Sequence, residues 1–260
     1  MSKYRRGEER DDLLADVAEM YYEQDLTQAE ISRAIGMTRS AVSRMLTEAR
    51  QKGIVQISVI RPLHFDEELE AALQRRFNLQ SAHVLTGHFA DDYDKLRRQL
   101  GQAAAGVLKE RLQPEMICGV AWGTTVSATI EALEDSSLAS VQIVQLVGVL
   151  QSNSHAYNAQ ALVESMSRKL GGGGTYLYSP FIVENAQTAQ SILGLPDVRE
   201  TLAVGRRSDI ALMGIGTVLD ANFSSLYQGG HITLQTLQEL RDDGAVGDVG
   251  GVHIDIDGNV

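Results

Sequence analysis

Seven residues between positions 38 and 50 could do chemistry on a nucleic acid: Thr38, Arg39, Ser40, Ser43, Arg44, Thr47 and Arg50. At 3.6 residues per turn, a helix opened by Thr38 turns the others away from Val42 and Met45, so hydroxyls and guanidiniums share one side. The forked guanidinium of Arg39 or Arg44 can grip a guanine edge bidentately, a contact worth ~1–3 kcal/mol of discrimination. Ser40 and Ser43 suit phosphate or short base contacts. Arg50, with Lys52, suits the phosphate backbone, where affinity depends on salt and carries no sequence information. The plainer alternative is a three-helix bundle with a solvated Arg/Ser face.

A second set lies further on. Ala121-Trp122-Gly123-Thr124-Thr125 follows an apolar run and opens a helical pattern. Free amides, the helix dipole and two hydroxyls there make a cradle for a phosphate. On spacing alone an ordinary tight turn with Thr124 as cap fits as well. Gly148, Gly214 and Gly216 also follow apolar runs, where ligands of open parallel sheets bind. Asp248, in Gly-Ala-Val-Gly-Asp, could accept hydrogen bonds from hydroxyls, although a lone aspartate more often caps a loop. His155 and Tyr157 are weaker candidates, in a loop after a strand. No carboxylate or histidine pair stands beside the cradle as an acid/base couple, and residues 116–160 contain no lysine. We therefore expect no catalytic residues, no metal site and no cofactor.

The elements that must position these residues are legible nearby. Leu26-Thr27-Gln28-Ala29-Glu30-Ile31 carries a helix start: Thr27 as cap, Glu30 closing a capping box, Leu26 placed to staple to Ile31. Thr38 caps the next helix, with Met37 placed to staple to Val42. Gly36 between them permits the left-handed turn that joins two steeply crossing helices. Ile31, Ile35, Met37, Val42 and Met45 fall where the helices should pack, with Ser32 small at their closest approach. Helices are expected at Glu8–Glu23, Thr27–Ile35 and Thr38–Lys52, then a strand at Ile54–Ile60.

From there helices and strands alternate. Helices are expected at Asp66–Phe77, Tyr93–Leu112, Thr124–Leu133, Asn158–Leu170, Asn185–Leu193 and Asp197–Val204. Strands are expected at Ala82–Thr86, Met116–Ala121, Val141–Val147, Thr175–Ser179 and Asp209–Met213, with an extended segment at Val252–Ile256 and a helix stop and turn at Gly171–Gly174. The fold class is α/β: a winged helix-turn-helix domain over residues 1–61, then a doubly wound, mostly parallel domain over 62–260.

Charge follows the same division. The net charge is −11, yet residues 1–61 carry ten basic and ten acidic side chains, and Thr38–Arg61 has five basic against Glu48 alone. The acidity belongs to the larger domain. The charged first twenty residues lack an apolar signal core, and no run is long enough to span a bilayer. A cytoplasmic protein without a membrane partner is expected. The one cysteine, Cys118, sits in an apolar run and reads as a core residue.

The run LTQAEISRAIGMTRSAVSRMLTEARQKGIVQISV resembles the head of the SorC-type, sugar-binding-domain transcription regulators. ICGVAWGTTVSATIEAL, VQIVQLVGVLQS, LVESMSRKLGG, YLYSPFIVEN, RRSDIALMGIGTV and LRDDGAVGDVGGVHIDIDGNV extend the resemblance over nearly the whole chain, in the family's order. It implies a winged head and a body related to the phosphosugar isomerase/CoA-transferase fold. It also implies a double-stranded DNA operator, a small phosphorylated sugar as effector, and a homodimer or homotetramer controlling a carbohydrate operon as a repressor or activator. Gly123, Thr124, Thr125, Gly148, Gly216 and Asp248 would form the effector site. The family pattern places further sheet and a basic residue beyond the DIDG stretch, so the sequence reads as a short form, a truncation or a fragment. The alternative is an isomerase-like enzyme with an accessory DNA-binding head.

Overall fold

The computed structural model describes residues 5–55, 62–87, 89, 92–136, 140–150 and 158–260. Contacts divide the chain into two compact units, 1–62 and 63–260.

The first unit contains α1 (Arg5–Tyr22), α2 (Gln28–Ala34) and α3 (Arg39–Gln51). Both expected caps form. The Thr27 hydroxyl accepts from the Glu30 amide while the Glu30 carboxylate accepts from the Thr27 amide at 2.8 Å, a reciprocal pair satisfying two end groups of α2. Thr38 accepts from the Ala41 amide at 3.2 Å. Leu14, Val17, Ala18, Ile31, Val42, Met45, Leu46 and Ala49 are buried together, with Leu26 and Ile35 against them. Met37 is not part of this core. It is 42% exposed, because Gly36 at φ +68° reverses the chain and the Met37 amide closes the turn onto Ser32 O at 3.0 Å. Ser32 is half-buried, its hydroxyl returned to Ala29 O. Of the expected strand Ile54–Ile60, residues 56–60 lie outside the described residues, as does Arg61.

The second unit begins with α4 (Glu67–Phe77) and α5 (Tyr93–Arg111). A parallel sheet follows, built from β1 (Ile117–Val120), β2 (Gln142–Gln145), β3 (Gly173–Thr175) and β4 (Ile210–Leu212) in the order β3-β2-β1-β4. Its connections carry α6 (Thr124–Ala132), α7 (Ala159–Leu170), α8 (Ala186–Leu193) and α9 (Pro196–Gly205). Ile143 and Val144 are neighbours on β2, so they face opposite ways, and both are fully buried; the sheet is covered on both sides. α5 and α6 run together so closely that a Cβ on Gly101 would lie 2.6 Å from the Ala128 backbone.

Four expectations change. The strand expected at Ala82–Thr86 is a single antiparallel bridge, Phe65 to Leu85. Asp66 N and Thr86 N donate to Val84 O and His64 O, tying the segment to the residues before α4 and leaving it outside the sheet. The strand expected at Thr175–Ser179 pairs earlier, at Gly173–Thr175, so Gly173 and Gly174 are strand residues and only Gly171, left-handed at φ 72°, stops α7. Beyond it the buried Gln145 side chain replaces the ladder: Nε2 donates to Val147 O (2.8 Å) and Leu177 O (3.4 Å), and Oε1 accepts from Leu177 N (3.3 Å). The segment near Val252–Ile256 is part of a second, antiparallel sheet of β5 (Ile215–Thr217), β6 (Gly247–Val249) and β7 (Val252–Ile254). Between β5 and β6 run the unanticipated helices α10 (Ser225–Gln228) and α11 (Leu234–Asp242).

Candidate nucleic-acid interface and effector site

On the first unit, α3 is buried through Val42, Met45, Leu46 and Ala49, and the opposite side stays in solvent. Thr38, Arg39, Ser40, Ser43, Arg44, Thr47 and Arg50 are all exposed there. Two hydroxyls have local work: Thr38 caps the helix, and Thr47 donates to Ser43 O at 3.1 Å. Among the described residues none of Arg39, Arg44 and Arg50 enters an ion pair.

Glu48, the one acid of α3, is engaged on the other flank. Arg10 of α1 grips it through Nε and Nη2, and Lys52 lies 3.7 Å away. The hydrogen bond with Arg10 holds the Glu48 carboxyl below its ordinary value, and Arg10 is raised in return. Lys52, expected beside Arg50 at a phosphate, is instead 2.5 Å from Asp11, which raises its pKa.

In the second unit the strand order sets the geography. The chain moves outward from β1 through β2 to β3, then returns to lay β4 on the far side of β1. Such a reversal opens a crevice at the carboxyl ends of β1 and β4, where ligands of doubly wound sheets bind. Gly123 sits at the end of β1 with φ 153° and ψ 153°, a conformation open essentially only to glycine. It is the N-cap of α6 and supplies no side-chain cap, so among the described residues the first amides of the helix have no side-chain acceptor. Thr124 and Thr125 follow, both half-buried.

The other predicted residues reach the same edge by different routes. Gly148 lies against the next segment, where a Cβ would meet Pro180 O at 2.6 Å; close packing accounts for this glycine. Phe181, beside it, packs edge-on to Trp122 with ring centroids 5.5 Å apart. The turn between β6 and β7 also comes here: a Cβ on Gly251 would strike the Phe181 ring, and one on Gly250 would meet Met213 and Val147. Asp248 Oδ2 accepts from the Gly251 amide at 3.1 Å. Gly216 is the register partner of Asp248 across β5 and β6. Gly148 and Asp248 are thus linked through Phe181 and Gly251, and Phe181 leads on to Trp122, next to Gly123.

Sequence reading missed Phe181, Gly250 and Gly251. The only signals were an aromatic after Pro180 and a glycine pair before β7. His155 and Tyr157 lie outside the described residues. Among the described residues no cluster of three metal-binding side chains occurs, and no helix is long and apolar enough to cross a membrane. Cys118 is fully buried and its thiol is pushed up to about 12 by burial.

Comparison with known proteins matches two regions of the chain. Residues 61–260 match the family described as "Putative sugar-binding domain", and residues 9–65 match a Crp-like helix-turn-helix domain. The chain is 28% identical over 253 residues to the deoxyribonucleoside regulator of Bacillus subtilis, covering 97% of this chain and 79% of that protein. It is 28% identical over 207 residues to the sorbitol operon regulator of Klebsiella pneumoniae, covering 79% and 65%. The crystal structure of the full-length Klebsiella pneumoniae sorbitol operon regulator SorC superposes with a TM-score of 0.66 at 26% identity, over 96% of this chain and 81% of that one. These similar proteins are regulators of transcription, which sets aside the isomerase-like enzyme. A helix-turn-helix head on a parallel α/β body of the sugar-binding type makes this chain a member of the SorC-type family of transcription regulators.

Proposed function

We propose that this regulator grips operator DNA through α3 and answers to a phosphorylated sugar held at the carboxyl edge of its parallel sheet. The DNA reading rests on an exposed face that carries no carboxylate and three arginines with no ion pair among the described residues. Arg39 and Arg44 lie in the first turns of α3, the end that enters a major groove in helix-turn-helix proteins. They read base edges; Thr38, Ser40, Ser43 and Thr47 make phosphate or short base contacts, and Arg50 meets the backbone.

One observation carries the phosphate reading: α6 begins on a glycine-only backbone at the reversal of strand order, with its first amides uncapped by any described side chain. Those amides and the helix dipole favour an anion. Gly123, Thr124 and Thr125 hold the phosphate, and Asp248 over Gly216 takes sugar hydroxyls, with Gly148 lining the edge. The names of two similar proteins, a sorbitol operon regulator and a deoxyribonucleoside regulator, favour a sugar-derived effector. The head has a balanced charge of its own, so two heads of a homodimer or homotetramer act together on half-sites about one helical turn apart or a multiple of it. Effector binding changes how the heads are paired.

Footprinting of the DNA upstream of the chain's own operon tests both parts, with 2-deoxyribose 5-phosphate, sorbitol 6-phosphate or neither. Protection that shifts about tenfold in protein concentration with one sugar phosphate is expected, a coupling of ordinary allosteric size. No protection under any condition sinks the DNA reading. Protection indifferent to every sugar phosphate sinks the effector reading.

A further inference from the structure

We propose that His253 is a contact residue of the effector site, its Nε2 meeting a hydroxyl or ring oxygen of the sugar beside Asp248. The inference rests on the effector reading above and adds a residue to it.

The register puts Gly216, Asp248 and His253 in one row across β5, β6 and β7. Directly opposed residues of an antiparallel pair share a face, their Cβ atoms about 4.5–5.5 Å apart. The next row is Ile215, Val249 and Val252. Ile215 is 87% exposed and Val252 49%, so that face looks to solvent and the row with His253 is turned the other way. The turn joining Asp248 to His253 is seated on Val147, Met213 and Phe181, at the carboxyl edge of the parallel sheet.

On that inward side the His253 Nε2 is buried and has no hydrogen-bond partner among the described residues. A polar nitrogen in this state costs free energy unless something meets it. Asp248 does not: its Oδ2 accepts from the Gly251 amide and its Oδ1 lies over the bare Cα of Gly216. A carboxylate therefore shares a row with an imidazole nitrogen that can donate or accept a hydrogen bond. Hydroxyls of a sugar or sugar alcohol both donate and accept, so neighbouring hydroxyls on one ligand satisfy both groups. His253 then selects for the polyol part of the effector, while the α6 amides hold the phosphate.

The test is calorimetric titration of the full chain with sorbitol 6-phosphate, 2-deoxyribose 5-phosphate and inorganic phosphate. His253→Phe keeps a ring on the sheet and removes its nitrogens, whereas His253→Gln keeps a polar group. His253→Phe should weaken the sugar phosphate that the wild type binds by about tenfold or more, and His253→Gln by clearly less. Inorganic phosphate should bind both variants as it binds the wild type. A His253→Phe chain that binds the sugar phosphate as the wild type does overturns the assignment. If Gly123→Asp still abolishes binding in that case, the effector site stands without His253. A wild type that binds neither sugar phosphate overturns both. Should His253→Phe lose its thermal transition, the imidazole ¹⁵N signals of the wild type decide, assigned with His253→Gln. An Nε2 signal that moves with the bound sugar phosphate, and not with inorganic phosphate, supports the contact; an unmoved one refutes it.

Discussion

A Cβ on Gly216 would lie 2.0 Å from Oδ1 of Asp248, so the carboxylate occupies the space that any side chain at 216 would need. Gly216→Ala should push Asp248 off its position while leaving the head untouched. The expected result is sugar-phosphate affinity lowered about tenfold or more, with stability down about 1–3 kcal/mol from the overpacking. DNA affinity without effector should stay within about twofold, because the substitution leaves every residue of α3 as it is. Calorimetry and gel shift on the same preparation check the two halves.

Arg44 and Arg50 should separate specificity from affinity. Arg44→Ala should cost ~1–3 kcal/mol on the operator and little on unrelated DNA, with thermal stability unchanged because the side chain is exposed. Arg50→Ala should weaken all sequences alike and flatten the slope of log K against log salt by about one. Anisotropy titrations across a salt series on both DNAs measure this. Equal losses on both DNAs for Arg44→Ala would take it off the bases.

The head should lose stability in acid, through two carboxylates held low by partners. Glu48 is lowered first by its hydrogen bond with Arg10, and Glu30 first by the Thr27 hydroxyl. In acid the unfolded head binds more protons than the folded one, so stability rises with pH there. This contribution is complete above the ordinary value of 4.5 and fades as pH falls through the lower folded values. Urea unfolding followed by helical ellipticity at pH 7 and pH 3.5 checks it. Glu48→Gln should shrink the difference between the two.

The caps of the head were the most legible part of the sequence, because each is closed within a few residues, whereas the Arg10–Glu48 pair joins residues 38 positions apart and was not read. Thr27 with Glu30, Thr38 and Gly36 could all be read locally, and they formed. Met37 could not, because its exposure depends on which way the chain leaves Gly36. The body was legible where apolar runs are long, as at β1, β2 and α7. It was not legible where three-residue strands pair at long range, as β5 does with β6. Nor could a sequence announce that Gln145 would stand in for a strand ladder at Leu177. The candidate effector residues could be picked out by their glycines and one acid; Phe181 and the Gly250-Gly251 pair, which link Gly148 to Asp248, could not.

Gln145 offers its own check. Replacement by Leu keeps the volume and strands the Leu177 amide and the Val147 carbonyl in the interior. Gln145→Leu should cost about 1–3 kcal/mol for the groups left unpaired. Chemical denaturation followed by the fluorescence of the one tryptophan, Trp122, reads this directly. A neutral result would mean that water or a backbone shift replaces the glutamine.

Cys118 should be silent in the native protein. With its thiol pushed to about 12 and no exposed surface, almost no thiolate exists at pH 8. A disulfide reagent should label it only once denaturant opens the body, at a rate that tracks global unfolding. Fast labelling of the folded chain would contradict the burial.

The grip of Arg10 on Glu48 has a kinetic side. A protein that searches a genome slides along a uniform string of phosphates, and each carboxylate facing that string roughens the ride. On the proposed DNA reading, drawing the single acid of α3 toward α1 keeps a carboxylate away from the surface that meets the phosphates. Arg10→Ala would then act at a distance, releasing Glu48 to turn outward. Such a head would still recognise its operator but take longer to find it, most visibly in dilute salt.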